Sequence, residues 1–147
     1  MAPDSPAAHQ RLADFYVRQG DVASAIAQLE RAVSALPSDI GLRYSLSTIL
    51  AQQGHYMRAL VAAEGGLEFA PDEPSLLRAR IRALAGLGRW AEAEAAAKQA
   101  VESNETNAEL HAILAEAYRA RGEHQIPPAD NSRAGESEPQ EGRCKQP

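Results

Sequence analysis

Apolar residues return at spacings of three and four along most of this chain, the period of a helix with one buried stripe. Leu12, Ala13 and Tyr16 form such a stripe, and Ile26, Leu29 and Val33 form the next. The pattern resumes at Leu46 and Leu50, at Leu77, Ile81 and Leu84, and at Leu110, Ile113, Leu114 and Tyr118. Start and stop signals bracket these stripes. Ser5-Pro6 opens a helix, because the hydroxyl accepts from free amides and proline loses nothing at the first helical position. Leu36-Pro37 and Pro71 close helices, while Ser38-Asp39, Asp72 or Glu73, and Thr106-Asn107 cap the ones that follow. Seven helices are predicted, over about 6–19, 22–35, 40–53, 56–69, 74–87, 90–103 and 108–121, and no run reads as a strand.

Four glycines, Gly20, Gly54, Gly88 and Gly122, stand 34 residues apart, and each follows a helical stripe. The helix after each turn carries a small residue at Ala25, Ala59 and Ala93, and another at Ala32, Gly66 and Ala100. The helix before each turn repeats the series His9, Leu12, Ala13, Tyr16 as Arg43, Leu46, Ser47, Leu50, then Leu77, Arg80, Ile81, Leu84, then His111, Leu114, Ala115, Tyr118. These residues resemble the tetratricopeptide repeat over residues 6–125, with units 6–39, 40–73 and 74–107 and a partial unit 108–125. Some positions depart from that family's pattern. No unit has the opening tryptophan, Arg80 stands where a buried leucine is usual, and the bulky place of the second helix holds Leu29 but then Ala63 and Ala97. Trp90 and Tyr56 are expected to fill part of the missing volume, with Trp90 largely buried. Gly65 beside Gly66 has no account from the pattern, and the helix that holds both is expected to be the loosest.

The resemblance implies an all-α, right-handed superhelical solenoid of antiparallel helix pairs, whose first helices line a concave groove that receives a peptide. On those helices the groove stripe comprises Gln10, Asp14 and Arg18; Tyr44, Thr48 and Gln52; Ser75, Arg78 and Arg82; and Glu109, Glu116 and Arg119. Arg78 and Arg82 are like charges one turn apart, an arrangement that repels by roughly 0.2–0.5 kcal/mol. Either a carboxylate or phosphate of a bound peptide balances them, through arginine's bidentate fork, or Glu109 or Glu116 does. Some modules of this family hold the C-terminal carboxylate of a chaperone with lysine and asparagine. At those places this chain has Gln10, Asp14, Ser45, Ser75 and Ala79, which carry no positive charge.

Charge and composition narrow the function. A net charge of −5 with only two lysines, Lys98 and Lys145, argues against nucleic acid. The lone Cys144 forms no internal disulfide, and no apolar run approaches a membrane span, so the chain reads as cytoplasmic. His9, His55, His111 and His124 have no metal-ligand spacing, and no phosphate loop or nucleophile elbow appears, so neither catalysis nor a cofactor is expected. From Ile126 to Pro147 the composition is that of a disordered tail.

The expected work is therefore binding another protein or peptide in the groove. Two rival readings remain. Gly122-Glu123-His124 opens a fourth turn, yet Ile126-Pro127-Pro128 replaces the helix that would follow, leaving the last helix uncovered. That face, with Leu114 and Tyr118, would then pair with a second copy. Alternatively the array is a regulatory or targeting segment of a larger protein, enzymatic or secretion-related.

Overall fold

The structure, a computed structural model, describes residues 5–103 and 108–125. The Thr106-Asn107 cap and the tail from Ile126 lie outside the described residues. Seven helices follow one another: α1 (Pro6–Arg18), α2 (Val22–Ala35), α3 (Ile40–Gln52), α4 (Tyr56–Leu67), α5 (Pro74–Gly86), α6 (Trp90–Ser103) and α7 (Ala108–Gln125). The described residues contain no strand.

Three turns are copies of one another for a local reason. Gly20, Gly54 and Gly88 take φ of 79°, 81° and 75°, the left-handed region where a side chain is costly. At each, the glycine amide and the amide after it close two bonds onto the end of the helix: Gly20 to Val17 and Asp21 to Tyr16, both 2.9 Å, and likewise at the other two. The chain thereby reverses within two residues. The next helix is then started by a side-chain cap where one is available. Ser5 accepts from the Ala8 amide, Asp21 from Ser24 and Asp39 from Leu42, whereas Glu73 makes no such bond.

Packing follows the small residues. Ala25, Ala59 and Ala93 are buried completely or nearly so, as are Ala32, Ala63 and Ala97, so paired helices meet backbone to backbone. Leucines supply the volume between pairs, with Leu42, Leu50, Leu76 and Leu110 fully buried; each such burial stabilises by roughly 1.5–3 kcal/mol. Ser47 is buried too, and its hydroxyl donates to the Ala59 carbonyl at 2.8 Å, tying α3 to α4.

Gly65 and Gly66 share one explanation. A methyl group on Gly66 would stand 2.6 Å from Leu76 Cδ1, and one on Gly65 would meet the Arg43 guanidinium. Arg43 lies across that helix, donates to the Pro37 carbonyl at 2.6 Å and stacks over the Phe69 ring at 5.7 Å. The two glycines are thus the bed for an arginine and a leucine arriving from the neighbouring helices.

Four expectations are corrected. Leu12 is exposed rather than buried, since among the described residues α1 packs only on α2 and α3. Trp90 is only half-buried, while Tyr56 does fill volume, lying against Gly86, where a methyl group would enter its ring. His111, which stands in place of the family's opening aromatic and is on that ground expected to pack at a helix face, is exposed. Gly122 makes no turn: α7 runs through it to Gln125.

Candidate functional site

Curvature is built into which helices touch. Each helix packs on its successor, and α1, α3, α5 and α7 also touch one another in a row. The even-numbered helices are spread apart, their backbones out of contact among the described residues, with the Glu30 to Arg58 ion pair bridging α2 and α4. A stack closed along one side and open along the other is concave on the closed side, so the odd helices form the wall of a groove.

Most of the predicted groove residues reach that wall accessible. Asp14, Arg18, Gln52, Arg82, Glu109, Glu116 and Arg119 are exposed, and Gln10, Tyr44, Thr48 and Arg78 are half-buried. Gln10 is drawn into the scaffold, its carbonyl accepting from the Ser45 hydroxyl at 2.9 Å across α1 and α3. Arg78 donates to Glu109 at 3.1 Å, so a carboxylate of the next groove helix neutralises one of the two arginines. Both partners are more than a third exposed, and such a pair contributes about 1 kcal/mol at most. Among the described residues, Arg82 has no carboxylate partner.

The two arginines form a ridge between two clefts. On one side, α5 and α7 enclose about 90 Å³ lined by Arg78, Ile81, Arg82, Ala85, Ile113, Glu116 and Ala117. On the other, α3 and α5 leave only about 10 Å³, lined by Tyr44, Ser47, Thr48, Ala51, Ala79 and the same arginines. The apolar floor of Ile81, Ala85, Ile113 and Ala117 escaped the sequence reading, which took Ile81 and Ile113 for stripe residues and did not single out the two alanines. On α5 the available signal was spacing, since Ile81 and Ala85 each stand three residues after one of the arginines.

Sequence comparison adds the family. A description of the tetratricopeptide repeat matches residues 6–49, and a second matches 44–108 and 78–125. The chain belongs to the tetratricopeptide repeat family. Solved structures agree on its fold. The second tetratricopeptide domain of human RPAP3, in complex with an HSP70 peptide, is 14% identical with a TM-score of 0.65, over 75% of this chain and 92% of that one. The first tetratricopeptide domain of Spaghetti, bound to an HSP90 peptide, is 17% identical with a TM-score of 0.66, over 78% and 90%. MamA from MSR-1 is 25% identical with a TM-score of 0.62, over 80% and 68%. Among curated proteins the sequence finds no match.

Within this tetratricopeptide array α7 is held by a buried acid of α6. Glu94 of α6 is almost fully buried, bonded to Lys98 at 2.7 Å and to Arg121 of α7. Leu114 is half-buried and packs against the core, whereas Tyr118 is exposed with the Lys98 ammonium 5.4 Å above its ring. The predicted self-association pair is thus split between the core and the surface. On the outer side, where α2 and α4 diverge, a wedge of about 430 Å³ is lined by Val33, Leu46, Leu50, Met57 and Val61 and edged by the Glu30 to Arg58 ion pair. Among the described residues no helix is long and apolar enough to cross a membrane, and no three acidic, histidine or cysteine side chains are grouped to hold a metal.

Proposed function

We propose that this array is a protein-binding scaffold without catalysis of its own, and that its concave face receives a peptide segment of another protein. The observation that carries the reading is the arginine ridge of α5, standing between two clefts on a wall of four mutually packed helices. Two structures of similar fold hold peptides, which supports the same use of this one. The wall is mixed in charge, but its centre carries an arginine free to meet an acidic group, which is what charge complementarity asks of a partner.

The test uses the purified chain and a displayed library of random peptides, followed by affinity measurement on the selected sequences. Replacing Arg78 and Arg82 together by alanine is expected to weaken binding at least tenfold, because a hydrogen bond to a charged group contributes roughly 1.5–3 kcal/mol. Full affinity in the double variant, with helical content unchanged, overturns the assignment of the groove.

A further inference from the structure

The two clefts beside the arginine ridge differ in size, and that difference specifies what an occupant presents to each. We infer that the groove reads an internal peptide segment with a small aliphatic anchor, an acidic side chain next to it, and a small residue about three positions away. The inference rests on the groove reading above and narrows it.

The anchor comes from volume. The cleft between α5 and α7 measures about 90 Å³ and is floored by Ile81, Ala85, Ile113 and Ala117. An apolar cavity of about 150 Å³ accepts benzene, so this smaller space suits a branched aliphatic side chain and excludes an aromatic ring. The acidic neighbour comes from charge. Arg82 lines the same cleft and has no carboxylate partner among the described residues, while Arg78 is already engaged by Glu109.

The small residue comes from the far side of the ridge. There the space between α3 and α5 is about 10 Å³, too little for more than a hydrogen or a methyl group beside Tyr44 and Thr48. Adjacent helices lie about 8–10 Å apart, and an extended chain advances about 3.3 Å per residue, so about three residues cross from one cleft to the other.

The acidic group is assigned to a side chain and not to a chain end. Arg78 and Arg82 line both clefts, so an occupant continues past the ridge without stopping there. Glu116 on the α7 wall would also repel a terminal carboxylate held at the anchor itself. A carboxylate on its own flexible stem reaches Arg82 while standing clear of Glu116.

The experiment is a selection of random nine-residue peptides by the whole chain, with free and with amidated C-termini, followed by titration of fluorescent peptides. Valine, leucine or isoleucine is expected at one position, aspartate or glutamate beside it, and glycine, alanine or serine about three away, with amidation without effect. Ala85→Leu, which fills the cleft from a half-exposed position, is expected to weaken these peptides about tenfold or more, and Arg82→Gln to weaken them similarly and erase the acidic preference. Circular dichroism confirms that each variant stays folded, and if leucine unfolds the chain Ala85→Ser, which puts a hydroxyl on the apolar floor, is expected to weaken the aliphatic anchor instead. Aromatic anchors, dependence on a free carboxylate, or indifference to Arg82→Gln overturns this inference. If those peptides still depend on Tyr44 or Thr48, the groove reading survives it; if no concave substitution matters, both fall.

Discussion

A methyl group at Gly86 would enter the Tyr56 ring, and the contact shows how an array poor in bulky side chains reaches native density. Alanine is normally favoured over glycine in a helix by roughly 0.5–1 kcal/mol, but overpacking costs roughly 1–3 kcal/mol. Gly86→Ala is therefore expected to destabilise the chain by about 1–2 kcal/mol in chemical unfolding, the difference between those two effects. A gain in stability would show that Tyr56 is not seated there. The repeated alanines were legible in the sequence because they recur in register; this pair was not, because the glycine of one unit answers the tyrosine of another. Asp21 gives a second residue-scale outcome. Hydrogen bonds from Ser24, its side chain first and then its backbone amide, hold the Asp21 carboxyl below its ordinary value of 3.8. A carboxylate whose folded pKa is lowered adds stability above its unfolded pKa and loses it as pH falls through the folded one. Asparagine caps about as well but does not titrate. The melting temperature of wild type relative to Asp21→Asn is thus expected to fall as pH drops below about 4, and a difference constant across the acid range contradicts this.

Elements were legible wherever a local signal bounded them. Six helices begin and end within about two residues of the predicted limits, since proline, the caps and the left-handed glycines act through the backbone at the site itself. The seventh was not: Gly20, Gly54 and Gly88 turn in the left-handed region, and repetition alone led to the same expectation for Gly122. In the structure Gly122 is helical, and nothing lies within 4 Å of where its side chain would be. Gly122→Ala is expected to stabilise α7 by about 0.4–1 kcal/mol and to raise helical content. Destabilisation would mean that Gly122 adopts a turn after all. The same element shows why exposure at the ends escaped prediction. Leu12 and Tyr118 carry interior residue types on α1 and α7, where no further described helix covers them.

At the scale of the molecule, concavity follows from close backbone contact among odd helices and its absence among the described even ones, which no single stripe of residues announces. Helical periodicity, together with the family resemblance, set Arg78 and Arg82 on the face that the row of odd helices makes concave. It did not identify the cleft floor, since Ile81, Ala85, Ile113 and Ala117 serve as core and as groove wall together. Nor did it reveal that Glu109 engages only one of the arginines, which depends on the offset between α5 and α7. Two surfaces therefore compete as the docking face: the concave wall with Arg82, which has no carboxylate partner among the described residues, and the outer wedge with exposed Met57 and Val61. The wedge is the geometric counterpart of curvature, opened because α2 and α4 diverge, and its charged rim is already paired. Backbone amide chemical shifts, recorded while a library-selected peptide is titrated into the labelled chain, separate the two directly. The account predicts shifts clustered at Thr48, Arg82, Ile113 and Glu116 with little change at Met57 and Val61. Shifts concentrated on α2 and α4 around Met57 and Val61, with Arg82 unmoved, would contradict it.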